Sequence, residues 1–593
     1  MNHTFHIPVL GLGYSIDTPL KVARYGISSA VSIVDDDLIE RMREYHLKKN
    51  NETYQAINKS DTDSRAKRIT AYLNLMAQKI DQQFENLKNE LFEAGSDLCR
   101  YFELLPEKAL LKQGYDLMME YPDNERKTIF QNILRQRMIK GSVDVNIMSK
   151  VDKMNYNLEG GNTENENTDA LAALRGFAES DLESSVVLSA GMNPRLYSYL
   201  ESFKDFYPDK NGKFRKKIIL KVSDLRSAFI QAKFLAKKGL WVSEFRVESG
   251  LNCGGHAFAT DGFLLGPILE EFKLKRMDMI DELHALWQSA ISDKAMSCNQ
   301  LPKQLLSVQG GIGTAMENDF LMNHYSLNET GWGSPFLLVP EVTNVDDNTL
   351  KQLAGATEDD FYLSGASPLG ILFNNFKPAT IDKQRADRLK KGRPGSPCTK
   401  KYLITNTEFT EKPICTSSRE YQHLKIKQLK QLVLSEEEYQ EQFDFITEKI
   451  CLCEGLCSSV YLKYNISKHK ENKAVAICPG PNTAYFSRIY TLDEMVNHIY
   501  GRLDLLENIN RPHIFIKELN LYIDYLQADL NKHIIDLNDK KRKHLIKFKA
   551  QLLQGIDYYK QLVKQWPEKT ADLIKTFQTE LNTSEVKLQN TLI

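Results

Sequence analysis

Eight short apolar runs set the strongest limit on how this 593-residue chain folds: most are separated by helix-length segments and end in glycine- or proline-bearing loops. They are His6–Leu10, Ile27–Val34, Val186–Ala190, Ile218–Val222, Val242–Val247, Leu305–Val308, Pro335–Val339 and Phe361–Leu363. Apolar runs alternating with helices read as parallel strands of βα units, buried on both faces. Their number fits an α/β fold of the (β/α)8 TIM-barrel type. A doubly wound open sheet is the alternative, because a strand count does not show closure. Punctuation between the runs agrees. Thr18 reads as an N-cap with Pro19 at the first helical position, and Gly26 lies just past the end. Asn193-Pro194 opens another helix. Ser223 or Asp224 caps a third, whose Leu225, Ala228, Phe229, Ala232, Leu235 and Ala236 follow helical spacing up to Gly239.

Residues 1–42 thus carry the first two barrel strands, and residues 185–376 the rest. Between them, 43–184 is charged, with apolar residues at helical spacing as in Ala66–Phe92 and Lys127–Ile139, and shows no strand signal. It reads as a large helical insertion after the second strand. The polar run Gly160–Thr168, within a linker near 158–169, has nothing to bury and reads as flexible. Residues 377–490 form a cysteine-containing extension, and 491–593 a long, charged, helical C-terminal region without a sustained heptad.

Charge and hydropathy exclude some classes. Lys+Arg 77 against Asp+Glu 78 gives a net charge of −1, so attachment to nucleic acid or membrane by bulk charge is not expected. Basic runs at Lys383–Arg393 and Lys540–Lys543 read first as solvated faces. No stretch approaches the roughly 18 apolar residues of a membrane span, and the N-terminus has no basic region followed by an apolar one, which predicts a cytoplasmic protein. Six of the nine cysteines fall between Cys398 and Cys478. In a reducing compartment such a cluster points to metal or redox chemistry before disulfides. Cys451, Cys453, Cys457 and Cys478 are candidate ligands for zinc or an iron–sulfur cluster, although their spacing matches neither common pattern; packed thiols are the plainer reading.

Three loops sit where strands end, on the face where barrels keep their chemistry. Gly310-Gly311-Ile312-Gly313-Thr314 leads into a helix, so its backbone N–H groups and the helix dipole suit a phosphate. Gly331-Trp332-Gly333-Ser334-Pro335-Phe336 offers a second such cradle. Cys253-Gly254-Gly255-His256 places a histidine at a strand end, where it can exchange protons near neutral pH.

In this order, Pro8-Val9, Val186–Gly191, Lys221-Val222-Ser223, Gly254-Gly255-His256, Gly310-Gly311-Ile312 and Gly333-Ser334-Pro335-Phe336 resemble the nitronate monooxygenase (2-nitropropane dioxygenase-like) family. That family consists of FMN-dependent TIM barrels, and the sequence is similar also to the flavin-dependent enoyl-acyl carrier protein reductases. Asn374-Asn375-Phe376 resembles the Arg-Asn-x-Phe stretch after the family's last strand. The resemblance implies FMN as cofactor, with its phosphate on Gly310, Gly311, Gly333 and Ser334. Gly11, Gly13, Gly254 and Gly255 would lie close to the flavin, Lys221 near its pyrimidine, and His256 would be the catalytic acid or base. It implies an oxidoreductase acting at an activated carbon on a small-molecule or acyl substrate, with NAD(P)H a candidate electron donor and a homo-oligomer a candidate assembly. The chain departs from the family at Cys253, where Ala is usual, at Ser249, where Gln is usual, and in Gly11-Leu12-Gly13-Tyr14-Ser15, which lacks the usual Gln or Asn and Met. The alternative is a flavin-dependent RNA-modifying protein, or a non-catalytic interaction protein, that works through its helical additions.

Overall fold

The computed structural model describes residues 3–148, 151–154, 167–189, 191–256, 261–298, 300–532, 538–566 and 571–592. Eight parallel strands close into a barrel in chain order. They are β1 (Phe5–Ile7), β2 (Ser28–Ser32), β3 (Val143–Ile147), β4 (Ser184–Leu188), β5 (Lys216–Val222), β6 (Val242–Glu248), β7 (Leu305–Gln309) and β8 (Glu329–Gly331). Closure is made by β1 against β8, with Phe5 opposite Thr330 and His6 opposite Gly331.

Strand number and barrel class agree with the sequence, but two strands differ. The stretch read as wholly helical contains β3, and β8 is a three-residue strand, Glu-Thr-Gly. Pro335–Val339 is no strand: Ser334–Leu338 is a 3-10 helix with proline in its first turn. Phe361–Leu363 does form a strand, β9 (Phe361–Ser364), but it pairs antiparallel with β10 (Phe373–Phe376) outside the barrel.

The missed strands share one cause. They point charged side chains inward, which breaks the apolar run expected of a buried parallel strand. Arg246 of β6 is buried in the barrel and pairs with Glu244 at 2.8 Å, Asp144 of β3 at 3.0 Å and Glu329 of β8 at 3.7 Å. His6 of β1 joins through Glu329 at 3.1 Å. Burial pushes the Asp144 and Glu329 carboxyls above their ordinary range, against the pull of Arg246. Burial and Arg246 hold His6 down at about 4, so it stays neutral near pH 7.

Between β2 and β3 stand five helices, Asp36–Lys49, Ser64–Lys88, Asp97–Glu103, Leu110–Glu120 and Glu125–Arg137. Asp35 caps the first through the N–H groups of Asp37 and Leu38. Ser64–Lys88 lies against helix Asp169–Ala178, where a Cβ on Gly176 would meet the Ala66 carbonyl oxygen at 2.6 Å. Most of the expected linker lies outside the described residues. At its described end Thr168 is buried and caps Asp169–Ala178 through the Leu171 N–H. Asn193 and Asp224 cap their helices as their sequences indicate. Thr18 does not cap; its hydroxyl donates to the Val342 carbonyl.

The C-terminal region is helical, with Ile514–Lys532, Asp539–Leu562 and Ala571–Gln589 packed together and against Leu265–Asp293. The run Lys540–Lys543 lies on one of these helices, and Lys383–Lys390 on helix Thr380–Lys390. Among the described residues no helix is long and apolar enough to cross a membrane.

Candidate functional site

A cavity of about 260 Å³ opens at the C-terminal ends of the strands. Its floor is polar: Lys221 of β5, Arg246 and Glu248 of β6 and Gln309 of β7. Lys221 Nζ donates to Glu248 Oε2 at 2.9 Å, and Gln309 Nε2 donates to Glu248 Oε1 at 3.0 Å. Side chains alternate along a strand, so Arg246 and Glu248 share the inward face while Phe245 and Val247 pack outward. That two-residue period was the signal that could have singled out Glu248.

His256 stands at the wall. Its Nε2 shares a hydrogen bond of 2.6 Å with the Ser367 hydroxyl, and its ring meets Phe373 edge-on at 5.2 Å. Asn252 sets the turn before it. Asn252 Nδ2 donates to the His256 carbonyl at 2.7 Å, while its Oδ1 accepts from Gly254 N and Asn374 Nδ2, each at 2.8 Å. Gly255 has φ +80° and open space where a Cβ would stand; a Cβ on Gly254 would strike the Cys478 carbonyl oxygen. Gly254 has no room for a side chain, and at Gly255 the positive φ strains any other residue.

The roof comes from the extension after the barrel, which the sequence reading left outside the site. Tyr402, Leu403, Leu452, Cys453, Leu456 and Cys478 close over the mouth. Helix Leu452–Lys463 is buried from Leu452 to Tyr461 and lies against the first loop, where Gly13 N donates to the Leu456 carbonyl at 3.1 Å.

Gly11, Lys221, Gly254, Gly255 and His256 are therefore brought to one cavity. Gly13, Gly310, Gly311, Gly333 and Ser334 do not line it. Gly13 serves close packing: a Cβ there would meet the Leu456 oxygen at 2.8 Å. A Cβ on Gly310 would meet Asn252 Cα at 2.7 Å, one on Gly311 the Leu251 side chain, and one on Gly333 the Cys253 Cβ at 2.7 Å. The Ser334 hydroxyl donates to the Cys253 carbonyl at 3.4 Å and lies under Gly480.

The phosphate end of an FMN site is accordingly filled by the chain itself. Gly313 N donates to Glu317 Oε2 at 2.9 Å, so a carboxylate takes the place on that N–H that a phosphate would hold. Arg511 donates from Nη2 to the Gly311 carbonyl at 2.6 Å and from Nη1 to Glu317 Oε1 at 2.7 Å. The strand-end floor and the Gly254-Gly255 wall leave an open cavity, whereas the glycine loops after β7 and β8 are filled by the chain's own groups and do not fit a phosphate.

The cysteines do not converge as a metal site. All nine are free thiols, and among the described residues no group of three or more His, Cys, Asp or Glu is placed to hold a metal ion. Cys457 Sγ faces Asp35 at 3.2 Å, Cys453 and Cys478 line the barrel mouth, and Cys451 lies beside Ser396. Burial pushes the Cys451 thiol up to about 11 and Cys478 to about 12, which suits packed thiols.

No protein-family model matches the chain, and no curated protein matches it. Among solved structures it is similar to FabK from Thermotoga maritima, with 12% identity and a TM-score of 0.31 over 69% of this chain and 84% of that one. It is also similar to the enoyl reductase domain of MlnA from the macrolactin biosynthesis cluster of Bacillus amyloliquefaciens, with 13% identity and a TM-score of 0.35 over 74% of this chain and 89% of that one.

Proposed function

We propose that the protein is a flavin-dependent oxidoreductase that reduces an activated carbon–carbon double bond of an acyl-type substrate at the barrel mouth. The observation that carries this reading is the convergence of Gly11, Lys221, Gly254, Gly255 and His256 on one cavity at the strand ends. A flavin bound there supplies hydride transfer. The chain's own part is positioning and proton exchange. His256 gives or takes a proton at Nε2, held by the Ser367 hydroxyl. Lys221 and Gln309 fix the Glu248 carboxylate on the floor. Leu369, Phe373, Leu403, Leu452 and Leu456 make the upper wall apolar, which favours an acyl chain over a small polar nitronate.

The test is the visible spectrum of the purified protein together with two assays, NAD(P)H oxidation with an α,β-unsaturated thioester and oxygen uptake with an alkyl nitronate. Flavin absorbance and thioester-dependent NAD(P)H oxidation are expected. Oxygen uptake with the nitronate alone would turn the reading to the monooxygenase. Colourless protein that takes up no flavin on reconstitution would remove it.

A second reading rests on the filled phosphate cradle. With Glu317 on the Gly313 N–H, the mouth is an acid–base site for a small ligand and needs no flavin. Colourless, folded protein that binds small carboxylates or carbonyl compounds at the mouth would support it.

A further inference from the structure

A second cavity, about 930 Å³, lies on the other side of the segment that roofs the barrel mouth. Residues 398–404 form the shared wall: Tyr402 and Leu403 face the mouth, whereas Cys398, Lys401 and Ile404 face the second cavity. Six cations line it, Lys59, Lys153, Arg393, Lys401, Lys412 and Arg419, against the single carboxylate of Glu420. The chain as a whole has a net charge of −1, so this density is local.

Among the described residues four of these cations, Lys59, Arg393, Lys401 and Arg419, have no carboxylate partner, whereas Lys153 lies 3.6 Å from Asp169. Arg419 is half-buried, and its Nε is closed off from solvent with no hydrogen-bond partner among the described residues. Arg388 close by is held below its ordinary value, first by burial and then by the charge of Arg419. A buried guanidinium donor left unpaired costs free energy unless something binds it. The N-terminus of helix Arg419–Leu429, capped by Ser418, also opens here. The rest of the lining is apolar, with Met154, Pro397, Pro413 and Ile414.

We infer that this cavity is a binding site for an organic phosphate of nucleotide size, its phosphates on Arg419, Arg393 and Lys401 and its apolar part against Pro413 and Ile414. Guanidinium groups match phosphate oxygens in pairs, and a cavity of this volume is in the range that holds a ligand of that size. The site is separate from the barrel mouth and does not depend on the proposed activity there.

The test is isothermal titration calorimetry on the full chain at low salt with three probes: inorganic pyrophosphate, adenosine 5′-diphosphate and uncharged adenosine. Pyrophosphate and the diphosphate should bind, the diphosphate more tightly, and both should weaken as salt rises. Adenosine should not bind. The Arg393→Ala/Arg419→Ala double variant should lose at least about tenfold in affinity. Its circular dichroism should stay that of the parent, since neither side chain forms an ion pair among the described residues. Lys401→Gln, at an exposed position, repeats the test with less risk to folding. Absence of binding by both phosphates at millimolar concentration, or equal binding by parent and variants, would overturn the proposal. A diphosphate that binds no better than pyrophosphate would overturn its organic part.

Discussion

The Arg511 guanidinium and the Glu317 carboxylate, 194 residues apart in the chain, meet at 2.7 Å on the loop where a barrel of this kind would hold a phosphate. Both side chains are almost fully buried. Burial pushes the Glu317 carboxyl up, but Arg511, His513 and the Gly313 N–H outweigh it and hold the group below its ordinary range. Its contribution is therefore present above the unfolded carboxyl's pKa of roughly 4.3 and lost as pH falls below that. Arg511→Ala leaves a buried carboxylate unpaired and should cost about 3–5 kcal/mol in denaturant unfolding. Glu317→Gln combined with Arg511→Met should recover part of that loss; a double variant as unstable as Arg511→Ala would show that the pair is not the cause.

On the proposed flavin-dependent reading, His256→Ala should lower turnover by about 10²–10⁴-fold, the usual worth of a positioned acid or base, without changing flavin content. Ser367→Ala should do less and shift the pH profile of turnover, because the hydroxyl only holds Nε2 at 2.6 Å. Loss of flavin from His256→Ala would make the residue a structural part of the loop.

Glu518 links the C-terminal helices to the site. It accepts from Gly250 N and Leu265 N, each at 2.7 Å, at the two ends of the stretch that carries His256. Burial pushes its carboxyl up to about 7. A raised folded pKa contributes stability that is full below the unfolded value of about 4.5 and is lost as pH rises through about 7. Unfolding free energy should fall over that window, and Glu518→Gln should flatten the fall. Glu518→Ala leaves two buried N–H groups unpaired, about 1–3 kcal/mol each, and should depress activity together with stability.

Three buried histidines, His3, His6 and His513, set the acid side. Burial holds His3 and His513 down at about 4, against 6.5 when free. The unfolded chain takes up protons that the native one refuses, so stability is full above about pH 6.5 and falls towards pH 4. His513 sits among Phe515, Trp566 and Phe577, so His513→Phe should make the acid unfolding midpoint lower by removing one of these groups. An unchanged midpoint would assign the acid loss to the other groups that the fold holds low, His6 and Glu317.

Cys415 is the thiol to watch. Its hydrogen bond with Cys398 comes first among the causes that lower it to about 7, against the upward push of burial. Mass-spectrometric alkylation rates should place it well below Cys451 and Cys478 in titration midpoint, and Cys398→Ala should move it upward. Elemental analysis of the same sample should find less than one zinc or iron per chain.

Local chemistry made part of this molecule legible in the sequence. The apolar runs at β2, β4, β5, β6 and β7, the caps Asn193 and Asp224, and Gly254-Gly255-His256 at a strand end each depend on residues within about one turn or strand of one another. The barrel class, the insertion after β2 and the helical C-terminal region followed from that pattern. Tertiary structure alone decided the rest, because it depends on pairs far apart in the chain. Asp144 and Glu329 can be buried in strands because Arg246 meets them inside the barrel. Gly310 and Gly311 look like a phosphate cradle in sequence, yet the 249–252 loop, Arg511 and Ile514 fill the space around them. The basic run ending at Arg393 and the cysteine cluster are visible in the sequence, but that they wall one cavity and roof another depends on how the extension folds back over the barrel. Whether a glycine loop receives a ligand or the chain's own side chain depends on what folds back over it, and sequence spacing carries no record of that.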